Sequence, residues 1–169
     1  MNHPLEDVIR NADGFLLIGD SSADRFPAQS FHSYTSVGKR FHCLDLGGLQ
    51  QSRGGSKGLP VYPTLADLPA DRSDLAVIWV KPERAIEAVT IAHEAGCARI
   101  WFSFRTGHAA AVAKAAELGM AVVEIGRCPV YYMDAMVPAC RAHTLLVKLS
   151  GSYGRPPQLD PTAKRRELW

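Results

Sequence analysis

Long apolar runs are missing from this chain of 169 residues. None approaches the roughly 20 residues a helix needs to cross a bilayer, so no membrane span is expected. An excess of one charge is missing as well: Lys and Arg number 19 against 17 Asp and Glu, a net charge of +2. That is too small to argue for nucleic acid. Paired cysteines are absent, since Cys43, Cys97, Cys128 and Cys140 form no CxxC pair, which argues against a zinc site. Cys43 and Cys97 lie within or beside apolar segments and read as small core residues. The start of the chain, Met1 to Asp7, carries acids and lacks the apolar segment of a signal peptide, so cytoplasmic residence is expected. Internal repeats and heptads are also wanting.

What the chain does have is the composition of one soluble globular core, 47% hydrophobic and 21% charged, at a length too short for two cores. Phe15-Leu16-Leu17-Ile18 is wholly apolar and stops abruptly at Gly19-Asp20-Ser21-Ser22. A short apolar run bounded by turn residues reads as a strand buried on both faces. Leu5 to Ala12 suggests a short helix before it. Pro27 suits a first helical turn, with Phe31, Tyr34 and Val37 on one face and Gly38 as the stop. Arg40 to Asp45 reads as a second strand, and 46–60, with five glycines, as loop. Thr64 is a candidate N-cap for one helical turn. Strands follow at Leu75–Val80, Arg99–Phe104 and Ala121–Ile125. They alternate with helices starting at Pro82 (Ile86, Val89 and Ala92 or His93 at helical spacing) and at Ala109. The stretch 130–149 reads as mostly helical, with Pro138 kinking or dividing it. This alternation predicts a single doubly wound, mostly parallel, five-stranded α/β sheet of Rossmann-like type over 1–150. From Gly151 to Trp169, three prolines and the cluster Lys164-Arg165-Arg166 read as a tail, or as an arm laid on a neighbouring subunit.

In a parallel sheet the residues after each strand share one crevice. Here they are Gly19, Asp20, Ser21, Ser22 and Arg25; Asp45, Leu46, Gly47 and Gly48; Lys81 and Pro82; Arg105, Thr106, Gly107 and His108; Gly126, Arg127, Cys128 and Pro129. Turn amides together with several cations suit a phosphate-bearing ligand. The usual dinucleotide fingerprint GxGxxG fails after Gly19, although Asp45 stands where a ribose clamp for NAD(P) would. No Walker A sequence, HExxH or GxSxG is present. The six histidines show no metal spacing, and the residues point to binding, not turnover.

Gly19-Asp20-Ser21-Ser22 followed by Gly58-Leu59-Pro60-Val61-Tyr62-Pro63-Thr64-Leu65-Ala66-Asp67-Leu68-Pro69 resembles the stand-alone CoA-binding domain family. Val77-Ile78-Trp79-Val80-Lys81-Pro82, Gly107 and Gly126-Arg127-Cys128-Pro129 extend the similarity over Phe15 to Met133. That family is in turn similar to the CoA-binding domain of the succinyl-CoA synthetase alpha subunit. The resemblance implies coenzyme A or an acyl-CoA as ligand, with the diphosphate on Gly19 to Ser22 and the adenosine near Asp45 to Gly48. It implies a pantetheine arm running past Lys81-Pro82 toward Thr106-Gly107, with Cys128 in the site's architecture. The chain departs from the family where Asp45-Leu46 and Ala23-Asp24 replace Asn-Pro pairs, and an aspartate beside a 3′-phosphate would repel it. Two other readings stand beside this one. One is a small NAD(P)-binding oxidoreductase or redox sensor. The other is an interaction protein that keeps a degenerate pocket and docks through its basic tail and Trp169. A homodimer through the apolar 133–147 region, or an unidentified protein partner, is the expected assembly.

Overall fold

The structure is a computed structural model and describes residues 3–51, 59–71 and 73–163. The basic cluster Lys164-Arg165-Arg166 and Trp169, proposed for docking, lie outside these residues, as does Gly58. Five strands form one sheet: β1 (Gly14–Gly19), β2 (Arg40–Asp45), β3 (Leu75–Trp79), β4 (Arg99–Phe102) and β5 (Ala121–Ile125). Their order is β2-β1-β3-β4-β5 and every pairing is parallel. The helices are α1 (Pro4–Asn11), α2 (Phe31–Ser36), α3 (Ala85–Glu94), α4 (Ala109–Glu117) and α5 (Pro138–Leu149).

Strand β1 is buried along its whole length, as its unbroken apolar run requires of a central strand. Because side chains alternate across a strand, Phe15 and Leu17 enter one core with α1, α2 and α5. Leu16 and Ile18 enter a second core with α3 and α4. The result is three layers, and the chain reverses direction across the sheet between β1 and β3. Ligands of open α/β sheets bind in the crevice outside the carboxyl ends at such a point.

Several boundaries differ from the sequence expectations. The carbonyl of Pro27 accepts from Ser30 N and Phe31 N, so Pro27 opens a turn and α2 begins only at Phe31. Pro138 does not divide a helix; it occupies the first turn of α5, after a separate 3-10 turn at Pro129–Tyr132. On α3 the buried residues are Ala85, Ala88, Val89 and Ala92, while Ile86 is 42% exposed. Residues 151–163 lie along their own chain. The carbonyl of Gln158 accepts from Ile125 N at the outer edge of β5, Tyr153 stacks on Tyr132, and Arg127 donates to the carbonyls of Arg155 and Pro156. No helix of the described residues is long and apolar enough to cross a membrane.

Candidate functional site

The turn after β1 is built from two buried carboxylates. Asp20, 1% exposed, caps the 3-10 turn Ser21–Ala23 by accepting from Ser22 N (3.1 Å) and Ser22 Oγ (2.5 Å). Asp45, 0% exposed at the end of β2, accepts from Ser21 N (2.7 Å), Ser21 Oγ (2.6 Å) and Leu49 N (2.8 Å). The two amides expected to face a diphosphate therefore already hold an anion of the protein's own. Gly47 makes this closure feasible: a Cβ there would lie 2.5 Å from both Ser21 Oγ and Ser22 N. Leu46 joins the two strand ends, its N–H donating to the carbonyl of Gly19.

Arg84, which the sequence reading did not single out, neutralises this acidic knot. Its Nη1 donates to Asp20 Oδ2 (3.0 Å) and to the Leu46 carbonyl (3.2 Å), while its other nitrogens hold Glu87. Burial pushes the Asp20 carboxyl up, but the bonds from Ser22 and Arg84 outweigh it and leave the group below the ordinary carboxylate value. Nothing local in the sequence could have revealed Arg84, since its partner lies 64 residues away.

The other expected cations divide into two kinds. Arg25 is structural at the mouth of the crevice. Its Nη2 donates to the Phe104 carbonyl (2.5 Å) and to Thr106 Oγ1 (3.3 Å), and its guanidinium lies 5.8 Å from the Trp79 ring and 5.2 Å from that of Phe104. Arg127 is buried and pairs with Glu124 at 2.5 Å, so it does not line the crevice as a free charge. Lys81 and Arg105, by contrast, are exposed at the ends of β3 and β4. Arg105 is held at φ +59°, a left-handed conformation uncommon outside glycine that tends to collect at ligand sites. Thr106 is buried and donates to the Val80 carbonyl at 2.9 Å. Gly107 packs under β5, where a Cβ would meet Ile125 Cγ2 at 2.7 Å. His108 Nε2 bonds the Pro82 carbonyl at 2.8 Å, which ties the β3 and β4 turns together.

Beside this edge, on the face covered by α5, lies an apolar cavity of about 650 Å³. Half-buried Phe26, Trp79 and Phe104 line it together with buried Cys128 and Tyr131 and with Ala139, Cys140 and His143 of α5. Tyr131 Oη and His143 Nε2 are 3.1 Å apart, and burial pushes the His143 pKa down. Cys128 was expected at the site; the cavity it faces was not. It is lined by the segment 26–30, which precedes α2, and by residues of α5. Among the described residues no group of three or more His, Cys, Asp or Glu could hold a metal.

A family model described as "CoA binding domain" matches residues 15–133. No curated protein matches the chain. Among solved structures, a hypothetical protein from Pyrococcus horikoshii OT3 is similar at 22% identity and TM-score 0.64, covering 76% of this chain and 87% of its own. A conserved hypothetical protein from Pyrococcus furiosus gives 22% identity and TM-score 0.53 over 69% of this chain and 96% of that one. A Thermus thermophilus protein gives 16% and 0.54 over 78% and 96%. At these identities the likeness is one of fold.

Proposed function

We propose, because the chain belongs to the CoA-binding domain family, that it binds coenzyme A or an acyl-CoA across the carboxyl edge of its sheet and acts as a binding module. The observation that carries this reading is the pairing of features on that edge. Exposed Lys81 and Arg105 follow β3 and β4 in the chain, close after Trp79 and Phe104, which line the apolar cavity. A diphosphate needs cations or amide donors, and a pantetheine arm needs a largely apolar channel with few polar points. In this reading the phosphates lie over Lys81 and Arg105, and the arm enters past Pro82 and Thr106. The turn Gly19–Ser22 serves as a wall, because its Ser21 and Ser22 amides already donate to Asp45 and Asp20.

The NAD(P) alternative draws on Asp45 as ribose clamp. That carboxylate is fully buried with Ser21 and Leu49 on its oxygens, so it offers a ribose little. Isothermal titration with CoA, NADH and ADP separates the readings, with measurable binding of CoA and none of NADH expected. The variant Lys81→Ala/Arg105→Ala should weaken CoA by roughly tenfold or more and flatten its dependence on salt. Unchanged affinity would place the phosphates elsewhere, and a chain that binds no CoA ends the proposal.

A further inference from the structure

The cavity beside the crevice carries chemistry that a CoA-binding role alone does not require. None of its lining residues is an aspartate, glutamate, lysine or arginine. Its polar points are the thiols of Cys128 and Cys140, the amide of Gln29, the hydroxyl of Ser30, and the Tyr131–His143 pair, whose imidazole pKa burial pushes down. Its size, about 650 Å³, falls in the range of small-molecule sites, which span about 300–1,000 Å³. The alanines Ala28, Ala139 and Ala142 leave the space open where larger side chains would close it. The rings of Trp79 and Phe104 in its lining belong to the residues that end β3 and follow β4, so the cavity adjoins the carboxyl edge of the sheet.

We infer that this cavity is an acyl site, and that the ligand is a CoA thioester carrying an uncharged, medium-length aliphatic or aromatic acyl group. The inference rests on the reading of the edge as a CoA site. An apolar chain gains by leaving water for such a lining. A charged acyl end would lose its hydration there with no partner of opposite sign among the lining residues. The competing occupant is a second copy of the chain. Leu146 lines the cavity and is 51% exposed, and Leu145 and Leu149, at 58% and 75%, continue along the same helix.

Titration of the intact protein with CoA, octanoyl-CoA and succinyl-CoA tests the inference, together with S-octanoyl-N-acetylcysteamine, a thioester without a nucleotide. Octanoyl-CoA should bind at least about tenfold tighter than CoA, and succinyl-CoA no tighter than CoA. Ala142→Trp, at an exposed position on α5, should fill the cavity. It should abolish the advantage of octanoyl-CoA over CoA and abolish binding of the N-acetylcysteamine thioester. Ala139→Trp gives the same readout from the neighbouring turn should the first variant fold poorly. Equal affinities for CoA and octanoyl-CoA overturn the acyl site while leaving CoA binding intact. Should no CoA species bind, the reading of the edge fails, while the N-acetylcysteamine thioester still reports on the cavity alone. A dimer in sedimentation that Ala142→Trp breaks, with no binding of either octanoyl probe, assigns the cavity to a second copy and overturns the inference.

Discussion

Asp45 decides what the turn after β1 can hold. A buried carboxylate that accepts two bonds from Ser21 and one from Leu49 fills the position an incoming phosphate oxygen would take. Its negative charge lies at the end of β2, two strands from β3 on the same edge of the sheet. At an effective dielectric near 20, two unit charges several ångströms apart repel by a few kcal/mol at most. Asp45→Asn keeps the shape and one acceptor but removes the charge. It should therefore tighten CoA by roughly tenfold while costing about 1–3 kcal/mol of stability through the donor it turns toward Leu49 N. Titration and urea unfolding of the same variant read both effects. If CoA binds Asp45→Asn no better than the native chain, the diphosphate does not approach this turn.

At the scale of elements, the outer edge of β5 is closed by the chain's own C-terminal segment, and Arg127 is the clasp. Its guanidinium reaches Glu124, Tyr132 and the carbonyls of Arg155 and Pro156, and Glu124 also accepts from Gln158 N at 3.0 Å. Arg127→Met would strip the buried Glu124 of its counter-ion, a loss of about 3–5 kcal/mol that protonation of Glu124, whose pKa burial already pushes up, would reduce. It should also speed hydrogen exchange at Ile125 N, which is bonded to the Gln158 carbonyl. Adding Glu124→Gln should recover part of that loss, because the unpaired charge is then gone. Slow exchange in Arg127→Met would show that the segment is held by Tyr153 and its neighbours instead. This clasp also marks the limit of what the sequence made legible. The central strands β1 and β3 were readable because each is a short apolar run buried along nearly all of its length. The ends of α2 and α5 were misjudged because a proline can open a turn or a helix, and only neighbouring carbonyls decide which. The candidate site was half legible. Its residues were found at the strand ends, but their roles were set by contacts across 24 residues for Ser21–Asp45, 64 for Asp20–Arg84 and 79 for Arg25–Phe104. No local pattern encodes such contacts.

For the whole molecule, Asp20 and Asp74 couple the fold to acid in the same direction, while Glu124, whose pKa burial raises, acts in the opposite one. Burial pushes Asp20 up, and the bonds from Ser22 and Arg84 more than offset it. Burial likewise raises Asp74, and its bonds with the Asp13 side chain, with Arg99 and with the Asp13 amide bring it below its ordinary value. Asp20 joins the turn after β1 to the start of α3 through Arg84, while Asp74 joins the segment before β1 to β4 through Arg99. In the unfolded chain both groups titrate near pH 4, whereas in the folded chain they stay ionised to lower pH. Unfolding in acid therefore takes up protons. The stabilisation is fully present above about pH 4 and is lost as the pH falls through the native values. Asp20→Asn removes one of the two couplings. It should cost about 1–3 kcal/mol at pH 7, where Arg84 loses its buried partner. The gap from the native chain should narrow steadily below about pH 4, as the native chain forfeits the same contribution by protonation. Urea unfolding of both proteins from pH 7 down to pH 2.5 measures that gap directly. A gap that stays constant across the range would mean that Asp20 titrates alike in the folded and unfolded chain, and that Arg84 does not hold its charge.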